Sequence, residues 1–327
     1  MKAAFYDRNG PADEVMQVGE LPIPAPGAGE VLVRVKASGV NPSDVKSRAG
    51  LRAKMTYPRV VPHSDGAGVI EAIGAGVDPA RVGERVWLWN GQWQRPSGTA
   101  AEYIALPGFQ APHLPDGVPY EAGACLGIPA MTAHRCVFAD GPVAGQTVLV
   151  TGGAGAVGHY AIQLARWGGA KAIATVSGPD KAAHAKAAGA DRIVNYKSEN
   201  VVDTVKEFTH GQGADRAIEV EFGGNLSATL ACLKTNGVIA AYASSAAMEP
   251  KLPFYPMMFQ GITLRLVLVY ILPGAARRQS IQDINQALVQ GALVHGIAET
   301  YPLDQIAAAH KAVESGTAIG NVVVTIA

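Results

Sequence analysis

Residues 152–158, GGAGAVG, constrain what this chain can fold into more than any other stretch. They follow the apolar run Thr147-Val148-Leu149-Val150-Thr151 and open a helical pattern over 157–167, so the glycines sit where a strand turns into a helix. Gly153, Gly155 and Gly158 satisfy G-x-G-x-x-G: one glycine for the tight turn, one for backbone approach to a pyrophosphate, one for packing of helix on strand. Ala156 and Val157 complete the loop, and the helix amino end offers unpaired N–H groups and a positive dipole to phosphate. A dinucleotide site is expected here. The plainer alternative is a glycine-rich turn, since 38 glycines in 327 residues produce chance matches.

What surrounds the loop supports the first reading. From Thr147 onward strands near 147–151, 172–176, 192–195, 215–220 and 237–242 alternate with helices near 157–168, 179–188, 199–209 and 224–234, and a sixth strand is readable over 262–270. Strands joined by helical crossovers mean an α/β, doubly wound parallel sheet of the Rossmann kind. The first third reads differently: short apolar or alternating runs at 3–6, 30–37, 68–73, 85–89 and 101–105, separated by Pro and Gly clusters, imply a mainly β domain. A helical pattern over 121–138 marks the change. The tail carries a helix near 280–290 and an apolar strand over 321–326, too little for a domain of its own. The expected division is a mainly β domain of 1–124 with 271–327, and a Rossmann domain of 125–270.

Charge narrows the partners. Lys plus Arg and Asp plus Glu both number 27, which leaves no electrostatic footprint for nucleic acid or for an anionic membrane. The opening residues lack the apolar core of a signal peptide, and no run approaches the length of a spanning helix, so a cytoplasmic location is expected. The three cysteines, Cys125, Cys136 and Cys232, are too few and too scattered for a disulfide framework or a zinc ribbon. At the end of the second Rossmann strand, Thr175-Val176-Ser177-Gly178 holds no acid to accept from ribose hydroxyls, while Lys181 stands one turn into the next helix. That favours NADP over NAD. A solvated helix lysine is the competing reading of Lys181.

Several separated motifs then occur in order: Pro26-Gly27-Ala28-Gly29-Glu30-Val31-Leu32-Val33, Ser38-Gly39-Val40-Asn41-Pro42-Ser43-Asp44, Asp65-Gly66-Ala67-Gly68-Val69-Ile70, Val82-Gly83-Glu84-Arg85-Val86, the glycine loop, and Ala188-Gly189-Ala190-Asp191. On these the chain, over its whole length, resembles the medium-chain dehydrogenase/reductase superfamily and within it the zinc-free quinone oxidoreductase (zeta-crystallin-like) family. The resemblance implies a split, GroES-like catalytic domain around a central Rossmann domain, and a dimer paired through an edge strand. The long apolar stretch at 262–270 fits such an edge, because an exposed strand of that character invites pairing. A homodimer is expected.

The places that hold catalytic zinc in metal-dependent relatives look occupied here by Asn41, Ser64 and Ile128. His63 and Asp65 nearby do not complete a three-ligand set, so no metal is expected. Without a Lewis acid the expected substrates are small molecules that accept hydride unaided, quinones or conjugated enones. By resemblance Asn41 reaches the cofactor and acceptor, with Asp44 supporting it; a buried Asn closing a turn before Pro42 is the alternative. The resemblance further implies cofactor contacts from Thr132, Ser177, Lys181, Tyr196, Tyr242, Ser245 and Asn321. Tyr196 and Tyr242 read equally as core or rim aromatics.

On the substrate side the chain departs from the family pattern. Val45 and Lys46 stand where aromatics are common, followed by the basic residues Arg48, Arg52, Lys54 and Arg59. Trp87, Trp89 and Trp93 cluster instead, and Trp93, in a loop-like segment, is the candidate wall of a flat apolar pocket; filling of the β-domain core is the alternative for the three. The expected activity is hydride transfer from NADPH to a quinone-like acceptor. Alternatives are an alkenal or enone double-bond reductase and a non-catalytic NADPH-binding sensor or structural protein.

Overall fold

The computed structural model describes residues 1–51 and 54–327, so Arg52 of the basic segment lies outside the described residues. The chain divides into two compact units, Met1–Ile128 with Ile297–Ala327, and Pro129–Gly296. The first unit begins with β1 (Lys2–Phe5) and β2 (Gln17–Glu20), an antiparallel pair, and continues through β3 (Glu30–Val40), β4 (Asp65–Ile73), β5 (Arg85–Leu88) and β6 (Tyr103–Pro107). The second carries β7 (Thr147–Val150), β8 (Lys171–Val176), β9 (Arg192–Asn195), β10 (Ala214–Glu219), β11 (Leu233–Ala241) and β12 (Thr263–Leu266). The chain then returns to the first unit as β13 (Ile297–Pro302) and β14 (Asn321–Thr325).

In the first unit β3 is the hub. It pairs antiparallel with β4, β6 and β14, which completes a sheet ordered β13-β14-β3-β4-β5 with β6 joined to β3. Alternation explains its face: Val31, Val33 and Val35 are buried in the apolar cluster with Ile70, Val86, Ile104 and Val322, while Arg34 points to solvent. Each such side chain contributes roughly 1.5–3 kcal/mol on burial. Gly68 lets β4 lie close, since a Cβ there would stand 2.1 Å from the Arg34 carbonyl oxygen.

The second unit is a six-stranded, all-parallel sheet ordered β9-β8-β7-β10-β11-β12. This is the doubly wound order, with its switch point between β7 and β10. Its central strands, TVLV and KAIATV, are buried nearly throughout, as strands covered on both faces must be.

Three expectations need correction. The last Rossmann strand covers only Thr263–Leu266, because its neighbour β11 ends at Ala241 opposite Leu266; Val269–Ile271 then forms a single 3₁₀ turn. The helical segment before the sheet is split into Tyr120–Gly123, a π-turn over Leu126–Ala130 and Met131–Phe138, with Pro129 inside the π-turn. The crossings between units fall after Ile128 and Gly296 rather than at 124 and 270. The helix Gly274–Val289 stays with the second unit, where Asp283 and Ser280 hold the two ring nitrogens of His134 at 2.7 and 2.8 Å.

Candidate active site

The expected site residues fall into two groups, one in each unit. In the second unit Gly152 takes a left-handed φ of +64°, and its carbonyl accepts from Gly155 N–H at 2.9 Å, so the chain reverses tightly out of β7. A Cβ on Gly153 would stand 2.7 Å from that of Ala174, and one on Gly158 would stand 2.3 Å from the Gly152 carbonyl oxygen. Gly155 is exposed, in extended geometry, and caps the helix Ala156–Trp167 without a side-chain hydrogen bond. The first-turn N–H groups, those of Ala156 and Val157 among them, are left to face an anion. These backbone features fit a dinucleotide pyrophosphate.

All six strands run parallel, so their following loops lie along one edge of the sheet. Ser177 follows β8, and Lys181 lies in the first turn of the helix Pro179–Ala187, partly exposed and with no ion pair among the described residues. Asp180 beside it is exposed on the helix, so no carboxylate stands at the end of β8 itself. Tyr196, after β9, is 53% exposed, which makes it a rim residue and not a core one. It lines a cavity of about 490 Å³ with Thr151, Gly152, Thr175, Glu221 and Asn225. Tyr242, after β11, lines a second cavity of about 650 Å³, and burial pushes its phenol well above the ordinary value. Ser245 is exposed, its N–H held by the Glu221 carboxylate at 2.9 Å. Thr132 is buried in the helix Met131–Phe138.

Sequence reasoning missed the residue that ties this edge together. Glu219, fully buried at the end of β10, accepts from the Thr151 hydroxyl at 2.8 Å, Asn225 at 2.9 Å, Thr229 at 2.9 Å and the Glu221 N–H at 2.8 Å. Thr151 immediately precedes the glycine loop, so one carboxylate across the switch point fixes where that loop starts. An acid at a strand end was its only signal in the sequence.

In the first unit Asn41 follows β3 and is buried, its backbone N–H donating to the Asp44 carboxylate at 2.8 Å in a capping box that starts the helix Pro42–Arg48. Its amide nitrogen donates to Asp65 at 2.8 Å. The same Asp65 oxygen accepts from the Ile128 N–H at 2.8 Å. Two of the three positions aligned with zinc ligands therefore converge on a carboxyl group, and both present N–H donors to it. Asp65 is fully buried, its other oxygen has no partner, and desolvation raises its pKa well above the usual range despite the Ile128 and Asn41 bonds.

His63 turns away from this cluster. Its Nδ1 meets the Ser38 hydroxyl at 2.8 Å and its Nε2 meets Nε2 of His310 at 2.9 Å, so neither nitrogen is open to a metal. Among the described residues no group of three or more His, Cys, Asp or Glu side chains could hold a metal ion. This donor set does not fit catalytic zinc.

Asn321 opens β14 beside Val322, which pairs with Val40, so the register sets Asn321 at the same end of the sheet as Asn41. Trp93 sits partly buried in the turn after β5, whereas Trp87 and Trp89 are core residues. Two of the basic residues serve the fold: Arg48 is fully buried against Gly10 and Glu314, and Arg59 pairs with Asp7 at 2.7 Å.

Comparison with known proteins follows this geometry. An alcohol dehydrogenase GroES-like domain model matches residues 27–116, and a zinc-binding dehydrogenase model matches 156–301. The human (Homo sapiens) quinone oxidoreductase is 30% identical over 318 residues, 95% of this chain and 93% of that one. The chain belongs to the quinone oxidoreductase family of medium-chain dehydrogenase/reductases. Its similarity extends to a 2-haloacrylate reductase of Burkholderia sp, 29% identical over 99% of this chain and 98% of that one. A solved mycobacterial protein complexed with NADPH superposes with a TM-score of 0.87 at 28% identity, covering 100% of both chains. The residues that the zinc-binding dehydrogenase model matches do not include Asn41, Ser64 or Ile128, the positions that the resemblance sets against zinc ligands.

Proposed function

We propose that this chain is an NADPH-dependent, metal-free reductase that delivers hydride to a quinone or a related conjugated carbonyl. The observation that carries the reading is one chain combining a glycine cradle for a pyrophosphate with a zinc position rebuilt as the Asn41–Asp65–Ile128 hydrogen-bonded unit. The quinone oxidoreductase and NADPH-complexed relatives support the acceptor and the cofactor. Bound NADPH supplies the hydride; the protein's part is to hold it, orient the acceptor and keep water out.

The N–H groups at the start of the Ala156–Trp167 helix hold the pyrophosphate, and Ser177 with Lys181 meets the 2′-phosphate. Tyr196 borders the adenosine side. Thr132, Tyr242, Ser245 and Asn321 belong to the nicotinamide side. Asn41, its amide fixed by Asp65 and its backbone by Asp44, hydrogen-bonds the acceptor oxygen as charge develops there. Trp93 is the proposed apolar wall.

Reduction of a carbon–carbon double bond is the second reading, favoured by the 2-haloacrylate reductase relative. Product analysis with a 1,4-quinone and a 2-alkenal decides between them. NADPH binding without turnover of either would leave the sensor or structural reading in place.

A homodimer is part of the proposal. Phe254, Tyr255, Met258 and Phe259 are exposed on the helix Phe254–Gln260, beside edge strand β12, where Leu266 is 74% exposed. Apolar area of this kind is ordinarily covered. Sedimentation velocity at micromolar concentration is expected to give twice the chain mass; a stable monomer would remove the dimer. No helix among the described residues is long and apolar enough to cross a membrane. A cytoplasmic setting agrees with Cys125, Cys136 and Cys232 all being free thiols.

A further inference from the structure

Five residues far apart in the sequence form a polar chain inside the first unit: His310, His63, Ser38, Thr99 and Asp65. All five are fully buried. Ala100 and Ala309, next to Thr99 and His310 in sequence, belong to the apolar core cluster of this unit. Polar groups in such surroundings must satisfy one another, and a network that does so holds one arrangement.

The protons of this chain can be counted. Burial lowers both imidazoles, His310 to about 3, so at neutral pH each ring carries one N–H. Four contacts then share four protons, one each from His310, His63, Ser38 and Thr99. The last contact sets the direction, because the Asp65 backbone carbonyl only accepts: the Thr99 hydroxyl donates to it at 2.6 Å. Thr99 Oγ1 must then accept from the Ser38 hydroxyl at 2.7 Å, and Ser38 Oγ from His63 Nδ1–H at 2.8 Å. His63 Nε2 is left as an acceptor, and His310 Nε2–H donates to it at 2.9 Å. The other nitrogen of His310, Nδ1, is buried with no hydrogen-bond partner among the described residues, which agrees with its carrying no proton.

The chain ends where the acceptor side of the proposed reaction is built. Ser38 precedes Asn41 by three residues, Gly39 pairs with Asp65, and the Asp65 carboxyl receives the Asn41 amide at 2.8 Å. Thr99 is tied to this junction a second time, its backbone N–H donating to the His63 carbonyl at 3.0 Å. His63 holds a left-handed φ of +76°, a conformation that a non-glycine residue keeps only where its contacts demand it. Apolar side chains would fill the same space with no polar group to satisfy. What a one-way chain adds is a fixed place for its last member.

We propose that His310 is a positioning residue for the reduction: its Nε2–H starts a one-way chain through His63, Ser38 and Thr99 that fixes Asp65, and Asp65 in turn holds the Asn41 amide for the acceptor. The inference rests on the reductase reading above and adds to it residues that act only through Asn41. The Asn41 hydrogen bond strengthens as charge develops on the acceptor oxygen, so a misplaced amide lowers kcat more than it raises KM. The cofactor cradle lies in the second unit, so NADPH affinity is kept.

The direction of the chain is read first, in the wild-type protein with labelled histidine, from imidazole nitrogen NMR shifts. His63 is expected as the Nδ1–H tautomer and His310 as the Nε2–H tautomer. Loss of signals in His310→Gln and displacement of signals in Ser38→Ala assign the two rings. His63 in the Nε2–H form overturns the proposal. Kinetics then test the role. His310→Leu and, at the far end, Thr99→Val should each lower kcat with a 1,4-quinone about tenfold, with quinone KM and NADPH Kd kept within about twofold. His310→Gln, which restores a donor, should recover most of kcat. The double variant should lose no more than either single one, since both break the same chain. Additive losses, or wild-type kcat in His310→Leu, overturn the positioning role. Should His310→Leu fail to fold, the other two decide: Thr99→Val must lose kcat while His310→Gln keeps it, and the reverse overturns the role. Wild type that binds NADPH but turns over neither a 1,4-quinone nor a 2-alkenal overturns the reductase reading instead, and the tautomers still test the chain.

Discussion

The two groups of site residues are built on opposite principles. In the second unit the cradle is made of backbone: Gly153 and Gly158 matter because they have no Cβ, and the residues that form the loop are consecutive in the chain. In the first unit Asn41, Asp65 and Ile128 are scattered along the chain and meet only because β3 and β4 pair, Gly39 lying opposite Asp65. A site made by removing side chains is spelled out as a motif. A site made by hydrogen-bonding them together is assembled by register.

The comparison breaks most sharply at Gly158. Gly158→Val sets a side chain against the Gly152 carbonyl, 2.3 Å from where its Cβ must go. Loss of measurable NADPH binding is expected, with roughly 1–3 kcal/mol of overpacking destabilisation; calorimetric titration and a melting curve read both. Retained affinity would mean that the loop does not hold the cofactor.

On the other side, Asp65→Ala leaves two buried N–H donors without an acceptor, at about 1–3 kcal/mol each. The melting temperature should fall, and quinone turnover should fall about tenfold as Asn41 loses its orientation. Asp65→Asn keeps a carbonyl acceptor and should recover most of both. The pH dependence sharpens the point. The folded pKa of Asp65 is raised, so its contribution to stability is full below the unfolded carboxylate pKa and is lost as pH rises through the folded value. Asp65→Asn should flatten that loss in a series of melting curves taken upward from the unfolded carboxylate pKa; an identical slope would show Asp65 to be ionised in the folded protein.

Lys181→Ala makes a smaller change. NADPH affinity should drop about tenfold with NADH affinity nearly unaltered, and equal losses for the two would assign Lys181 to solvent.

The smallest effect is common to both units. His310 in the first is lowered to about 3, and His159 and His295 in the second to about 4, in each case chiefly by burial. They stay neutral when folded and charge when unfolded, so stability is full above about pH 6.5 and declines as pH falls toward 4. Melting temperatures should decline by a few degrees over that window, and His310→Gln should shallow the slope.

What could be read in advance follows the same division. The parallel sheet and the loop geometry were legible because strand, glycines and helix are contiguous, and β14 was placed by its apolar run. The extent of β12 was not legible, since Val267, Leu268 and Val269 are as strand-like as Leu264; the strand stops where β11 runs out of partners. Asp65 was noticed only as an insufficient metal ligand, and its role emerges from pairs separated by 24 and 63 residues. Glu219 carries no motif: it acts across the switch point.

The central claim is hydride delivery from NADPH without a metal, and one measurement addresses it directly. Oxidation of NADPH and of NADH is followed side by side against a 1,4-quinone, before and after exhaustive chelation and dialysis. The account predicts turnover that prefers NADPH and is unchanged by the chelator. Activity that disappears on chelation and returns with added zinc would contradict it.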